Sequence, residues 1–163
     1  MEVAAGSGGA RQTGGMDELM AAWEPVRRDL AATCAVRPRV VEEEHHGERY
    51  LVLYERDGSG AGVGLWEGGG PAERVAHVAD QVRDWAVEAL CAASRPAVWP
   101  ECPVHPDSHP LDPVVRGGVA VWSCPRSGES VALVGELSAG CGVEAEGGER
   151  GSGRKRKGGR SGQ

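Results

Sequence analysis

Phenylalanine, isoleucine and asparagine are absent from this chain of 163 residues, and tyrosine occurs only twice, at Tyr50 and Tyr54. With five tryptophans as its main bulky side chains, the chain has material for one compact domain, or a small domain plus a stapled module, and too little for a second full core. Gly, Ala, Val and Arg fill the gap, which reads as the coding bias of a GC-rich genome. Long apolar runs are missing as well. No window approaches the roughly 20 apolar residues that span a bilayer, and Met1–Gly9 has neither the charged segment nor the apolar run of a secretory leader. A cytoplasmic protein with no membrane attachment is the expectation.

Basic residues are scarce outside one place. Of the net charge of -6, residues 148–163 contribute +5, with six Lys or Arg against Glu149, which leaves -11 on residues 1–147. An acidic body lacks the clustered cations that neutralise backbone phosphates, so a nucleic-acid contact is expected only through the tail around Arg154-Lys155-Arg156-Lys157. No aromatic residue interleaves there to stack on bases, and a solubilising tail is the plainer reading. An even cysteine framework is lacking too. Cys34, Cys91, Cys102, Cys124 and Cys141 form an odd, irregular set, which points to thiols or metal ligands in place of disulfides.

What is present sorts into an α+β pattern. Residues 1–15 are Gly/Ala/Ser-rich without periodicity and are expected to be disordered. From Met16, Leu19, Met20, Trp23, Val26, Leu30, Ala31 and Cys34 recur at helical spacing. Pro25 either kinks this helix or starts a second one. Cys34 closes the apolar stripe as a small buried hydrophobe. Beyond Pro38 the period becomes that of strands. Arg39–Glu44 and Arg49–Glu55 flank His45-His46-Gly47, and a glycine-rich turn, 57–62, leads to Val63–Glu67, a three-stranded antiparallel meander. Tyr50, Val52 and Tyr54 share one face of the middle strand and Leu51 and Leu53 the other, so that strand is expected to be covered at least partly on both sides. Pro71 opens a second amphipathic helix carrying Val75, Val78, Val82, Trp85, Ala86, Ala89 and Leu90, predicted to pack across the meander and end near Ala93. Residues 16–97 thus form an α-βββ-α core. Residues 98–138 form a proline-rich Cys/His loop followed by a small meander of strands at 114–115, 119–123 and 130–136, and residues 139–163 a disordered basic tail.

The chemistry concentrates in Trp99-Pro-Glu-Cys102-Pro-Val-His105-Pro-Asp-Ser-His109-Pro, answered by Trp122-Ser-Cys124-Pro125. Cys102, His105, His109 and Cys124 give C-x2-H-x3-H-x14-C. Thiolate and imidazole are the ligands zinc prefers, and a two-residue spacer lets one tight turn present Cys102 and His105 to a single ion. The small meander has too few large residues to hold itself together, a situation in which a metal staple is common. Cys91, at the end of the second helix, is a reserve ligand, with a structural role the plainer reading. Three readings of the loop stand at this point: a zinc site, a rigid proline loop with solvated histidines and no metal, and a redox-sensitive thiol pair of Cys102 and Cys124. With four protein ligands a zinc site is structural; with three plus Asp107 or water it has an open position of catalytic type.

Cys102-Pro-Val-His105, a following hairpin and Trp122-Ser-Cys124-Pro125 resemble a degenerate zinc ribbon, a family with two Cys-x-x-Cys/His knuckles on facing hairpin loops. The resemblance covers about a quarter of the chain. It implies a structural zinc, and it departs at the second knuckle, where Ser127 stands in place of a ligand and His109 has to substitute. The longer string from Trp99 to Leu111, following the helix of Trp85, resembles a group of small actinobacterial proteins, which implies no activity.

Other candidates are weaker. His45-His46 beside Glu42, Glu43, Glu44 and Glu48 sits in a hairpin, where adjacent side chains point to opposite faces. The glycine-rich turn at Asp57 joins two strands and opens no helix, so it lacks the context of a phosphate-binding loop. Asp107, Ser108 and His109 are consecutive, which rarely allows triad geometry. The functional expectation is a non-enzymatic protein-binding or adaptor module, stabilised by zinc on the first reading of the loop, that presents Trp99 to a protein partner. A redox sensor or enzyme using an open metal site or the two thiols is the alternative, and tail-driven nucleic-acid binding a further one.

Overall fold

The computed structural model describes residues 11–139. The basic tail beyond Ala139, with Cys141, and residues 1–10 lie outside the described residues. The chain is α+β: helix α1 (Arg11–Thr33), strands β1 (Arg39–His45), β2 (Glu48–Tyr54) and β3 (Gly60–Val63), helix α2 (Pro71–Ala92), and strands β4 (Asp112–Arg116), β5 (Val119–Ser123) and β6 (Ser130–Leu133). Each strand triplet is an antiparallel meander in sequential order. Among the described residues no helix is long and apolar enough to cross a membrane.

Helix α1 starts at Arg11 and not at Met16, so residues 11–15 are helical where disorder was expected. Once Met16, Leu19, Trp23, Val26 and Leu30 are docked, each further residue gains a backbone bond without a new nucleation cost. The helix also runs as one element through Pro25. Proline removes one backbone bond there, and the burial of Trp23 and Val26 on either side holds the helix together.

The first meander differs from expectation in its third strand. Gly60–Val63 pairs with Leu51–Tyr54, so the glycines taken for a turn are strand residues and 64–67 lies beyond the strand. The turn closes earlier, where the Asp57 carboxylate accepts from the Ser59 N–H (2.9 Å) and hydroxyl (2.6 Å). Glycine is required in the strand by contact: a Cβ on Gly60 would lie 2.9 Å from both Tyr54 Cδ1 and Val52 Cγ1. In β2, Leu51 and Leu53 enter the core while Val52 is buried on the other face between half-buried Tyr50 and Tyr54, so both faces are covered at least partly. His46 and Gly47, both at positive φ, make the two-residue turn between β1 and β2.

Helix α2 begins with Pro71 after the Gly70 N-cap, whose N–H donates to Glu73 Oε2 at 3.0 Å. It ends in a left-handed residue, Ser94 at φ 53°. The Arg95 N–H reaches back to the Leu90 carbonyl and the Ser94 N–H to Cys91, the double closure of a Schellman end. Helix α2 was expected to pack across the first meander. Its principal neighbours are instead α1 and strands β4 and β5, with β3 its main neighbour in the first meander. The second meander's short strands leave Trp122, Ala120 and Leu111 in need of an apolar partner, and α2 supplies it. The buried residues of the helices, both meanders and the Cys/His loop form one cluster.

Candidate metal centre

Two turns bring the four expected ligands together. In the first, the His105 N–H donates to the Cys102 carbonyl (3.1 Å) and the Ser108 N–H to the His105 carbonyl (3.3 Å). An antiparallel bridge between Glu101 and Pro110 closes the loop, and the Asp107 N–H donates to Glu101 Oε1 at 3.1 Å. In the second, which follows β5, the Cys124 N–H donates to the Glu129 carbonyl (2.9 Å) and the Gly128 N–H to the Cys124 carbonyl (2.8 Å).

One ligand atom from each of Cys102, His105, His109 and Cys124 lies within 4.8 Å of the other three. His105 Nδ1 is 3.5 Å from both Cys102 Sγ and Cys124 Sγ, His109 Nε2 is 3.8 Å from Cys124 Sγ, and the two nitrogens are 3.3 Å apart. For a tetrahedral ion with bonds of about 2.3 Å to sulfur and about 2.05 Å to nitrogen, trigonometry separates sulfur from nitrogen by about 3.6 Å and the two nitrogens by about 3.3 Å. Four of the six ligand pairs lie close to these edges, and the whole set, within 4.8 Å, is compatible with a metal site. Cys102 and Cys124 are buried, and the histidines are half-buried, so the sulfurs are shielded while one side remains open to an entering ion.

The surroundings orient the ligands. His109 Nδ1 lies 2.9 Å from the Pro110 carbonyl. It can bond that oxygen only as a donor, which leaves Nε2 as the lone pair facing the centre. Ser127, at the position where a ribbon has its fourth ligand, acts through its backbone: its N–H donates to Cys124 Sγ at 3.5 Å. Hydrogen bonds from the Ser127 backbone and side chain, assisted by Arg126 and Cys102 and opposed by burial, bring the Cys124 thiol down to about 6. A site that stabilises thiolate at neutral pH is prepared for a cation. Asp107 and Glu101 contribute no atom to the cluster.

The support for both turns comes from α1. Trp99 and Trp122, which precede the two knuckle cysteines, are 2% and 0% exposed, so Trp99 is no surface anchor for a partner. Apolar area decides this: the flat indoles pack edge to face with centroids 5.7 Å apart, a pair worth about 1 kcal/mol beyond its burial. Each indole N–H is hooked to α1, Trp99 Nε1 donating to Thr33 Oγ1 (2.9 Å) and Trp122 Nε1 to Asp29 Oδ2 (2.7 Å). Asp29 is fully buried, and it also accepts from the Gly135 N–H (Oδ2, 2.6 Å) and the Leu137 N–H (Oδ1, 2.8 Å). Burial pushes its carboxyl above the usual range, while the three donors and Arg28 pull the other way. The sequence reading missed Asp29. Its signal was positional, an acid three residues after Val26 and next to Leu30, within the buried stripe of α1.

The other candidates stay apart from this centre. Among the described residues it is the single group of three or more His, Cys, Asp or Glu whose ligand atoms converge. His45 and His46 contact each other, with centroids 4.0 Å apart. Cys34 is buried, as expected of a small hydrophobe, and burial raises its thiol. Cys91 is exposed and outside the cluster. Helix α2 turns its buried stripe, Val82, Ala86, Ala89 and Leu90, to the core, and Cys91 falls off that stripe, which removes both its reserve and its structural role. Comparison with protein-family models, curated proteins and solved structures returns no match for this chain, so the reading of the site rests on its own geometry.

Proposed function

We propose that the chain is a non-enzymatic protein-binding module held together by one structural zinc ion, bound by Cys102, His105, His109 and Cys124. The observation that carries the metal is the convergence of the four ligand atoms within 4.8 Å, with four of the six pairs at 3.3 to 3.8 Å, close to the edge lengths of a zinc tetrahedron. Two thiolates and two neutral imidazoles balance the ion's charge, and that ligand set selects zinc over the hard cations, which take oxygen. Four protein ligands leave no position for substrate, and no carboxylate in the cluster serves as a general base. The ion then supplies cross-linking energy: it ties the loop after α2 to the turn after β5, segments far apart in sequence and short of apolar area of their own.

Protein binding rests on the lack of catalytic machinery at the centre and on the exposed apolar tip of the first knuckle, where Val104 is 66% exposed. The test is metal content together with thiol reactivity. Purified full-length protein carries about one zinc per chain with Cys102 and Cys124 protected, and Cys102→Ser or Cys124→Ser loses the metal. A metal-free preparation that still melts cooperatively overturns the zinc reading. Proximity of the two buried sulfurs favours a second reading, a redox-sensitive thiol pair. Its outcome in the same experiment is absence of metal with two rapidly titrating thiols.

A further inference from the structure

Past the ends of both helices lies a cleft of about 520 Å³, formed where Ala35 and Val36 leave α1, the β2–β3 turn passes, and the last turns of α2 run alongside. Its volume falls within the range of small-molecule pockets. The apolar part of the lining is Trp85, Ala89, Ala92 and Ala93, small side chains beside one flat ring. The polar part is unusual for this chain. Although residues 1–147 carry -11, three arginines, Arg37, Arg56 and Arg95, line the cleft against Glu55 and Asp57.

Two of those five charges are already engaged. Arg37 donates to the carbonyls of Ala31 and Val36 as well as that of Cys34, capping the end of α1, and Asp57 is bound by Ser59. The guanidinium groups of Arg56 and Arg95 have no partner among the described residues. Attraction to a helix C-terminus would place a cation here, and it accounts for Arg37. It does not account for Arg56, which stands on the β2–β3 turn, or for the Arg95 side chain, which caps no carbonyl. The apolar wall supplies a reporter: Trp85 lines the cleft while only 3% exposed, and its indole N–H is shut away from solvent with no acceptor.

We propose that this cleft binds a small organic anion, a carboxylate or phosphate on an aromatic or aliphatic body. The anionic head sits between Arg56 and Arg95, and the body lies against Ala89, Ala92 and Ala93 beside Trp85. Arginine suits such a head because its planar fork bonds two oxygens at once. Two free guanidinium groups against the single free carboxylate of Glu55 match a head of one or two charges and not a polyanion. The proposal is independent of the metal centre, none of whose ligands lines the cleft.

The test is a titration of 15N-labelled full-length protein, following the Trp85 indole N–H resonance, assigned through bonds, while benzoate or phenyl phosphate is added. Benzamide serves as the uncharged control and inorganic phosphate as the head without a body. The Trp85 resonance is expected to move saturably with benzoate or phenyl phosphate. Binding weakens at least tenfold for both controls and for Arg56→Gln and Arg95→Gln, whose exposed side chains are dispensable to the core. Arg49→Gln, outside the cleft, leaves the titration unchanged. No saturable shift up to about 10 mM of either aromatic anion, equal binding of inorganic phosphate, or a titration indifferent to Arg56→Gln and Arg95→Gln would overturn the proposal.

Discussion

Removing Asp29 should damage this protein more than removing any other single carboxylate among the described residues. Its two oxygens accept three N–H groups, from Trp122, Gly135 and Leu137, and these tie the end of the second meander and the approach to Cys124 onto α1. An unpaired buried donor costs about 1–3 kcal/mol. Alanine leaves all three unpaired, but water can reach the partly buried backbone groups, which sets the expected loss at about 3–5 kcal/mol. Asparagine keeps one acceptor oxygen for Trp122 and Gly135 and turns its NH2 toward the Leu137 N–H, donor against donor, for about 2–3 kcal/mol. Urea unfolding followed by tryptophan fluorescence at fixed zinc measures both. With a slope of about 2 kcal/mol per molar, the Ala variant's midpoint falls by about 2 M. Because Trp122 stands two residues before Cys124 and loses its acceptor in the alanine variant, the folded Asp29→Ala protein should also hold zinc about tenfold less tightly, as loss of orienting contacts does at metal sites. Both variants unfolding within about 0.5 kcal/mol of the parent, with unchanged zinc affinity, would refute the clamp.

The pH dependence of the same group has a defined sign. Burial raises the Asp29 carboxyl in the folded state, so folding binds its proton more tightly; this contribution is full below the ordinary carboxyl pKa and is lost as pH rises through the raised value. Stability of the parent minus that of Asp29→Asn, followed from acid to neutral pH, should therefore shrink, and a difference that grows with pH contradicts the assignment. Gly135→Ala should destabilise by about 2–4 kcal/mol, since Gly135 has φ 101° and a Cβ there would lie 2.8 Å from Pro25 Cβ and 3.2 Å from Pro25 Cα; thermal unfolding checks it. His109→Ala should abolish stoichiometric zinc. Adding Ser127→Cys, which completes a Cys-x-x-Cys knuckle with Cys124, should restore it, and metal analysis of the single and double variants reads the outcome.

Periodicity made both helices legible, because their buried stripes are written in Val, Leu, Ala and Trp at the right intervals, and it made β2 and β5 legible from their buried runs, with β1, β4 and β6 following from the turns that flank them. Strand β3 was expected at Val63–Glu67 and lies earlier, at Gly60–Val63, because Gly60 and Gly62 look like turn residues in one dimension. The reason for glycine at position 60, the side chains of Tyr54 and Val52 across the sheet, is a contact between strands that spacing cannot express. The ligand set was legible from thiol and imidazole chemistry at short spacing. Its convergence was not, since Cys124 reaches the centre only through the pairing of β4 with β5. Trp99 was misread for a related reason: a tryptophan in a proline-rich loop looks like an exposed anchor until the hydroxyl of Thr33, 66 positions away, takes its N–H. Asp29 shows the same limit, because a carboxylate inside an apolar stripe announces a buried partner without naming it.

The central claim is that Cys102, His105, His109 and Cys124 close around one zinc ion. X-ray absorption at the zinc edge, on full-length protein purified without added chelator, tests it most directly. The account predicts about one zinc per chain, with a first shell of two sulfurs at about 2.3 Å and two nitrogens at about 2.0–2.1 Å. A shell of oxygen and nitrogen alone, or protein that carries no zinc and unfolds cooperatively at the same urea concentration as the zinc-loaded form, would contradict it.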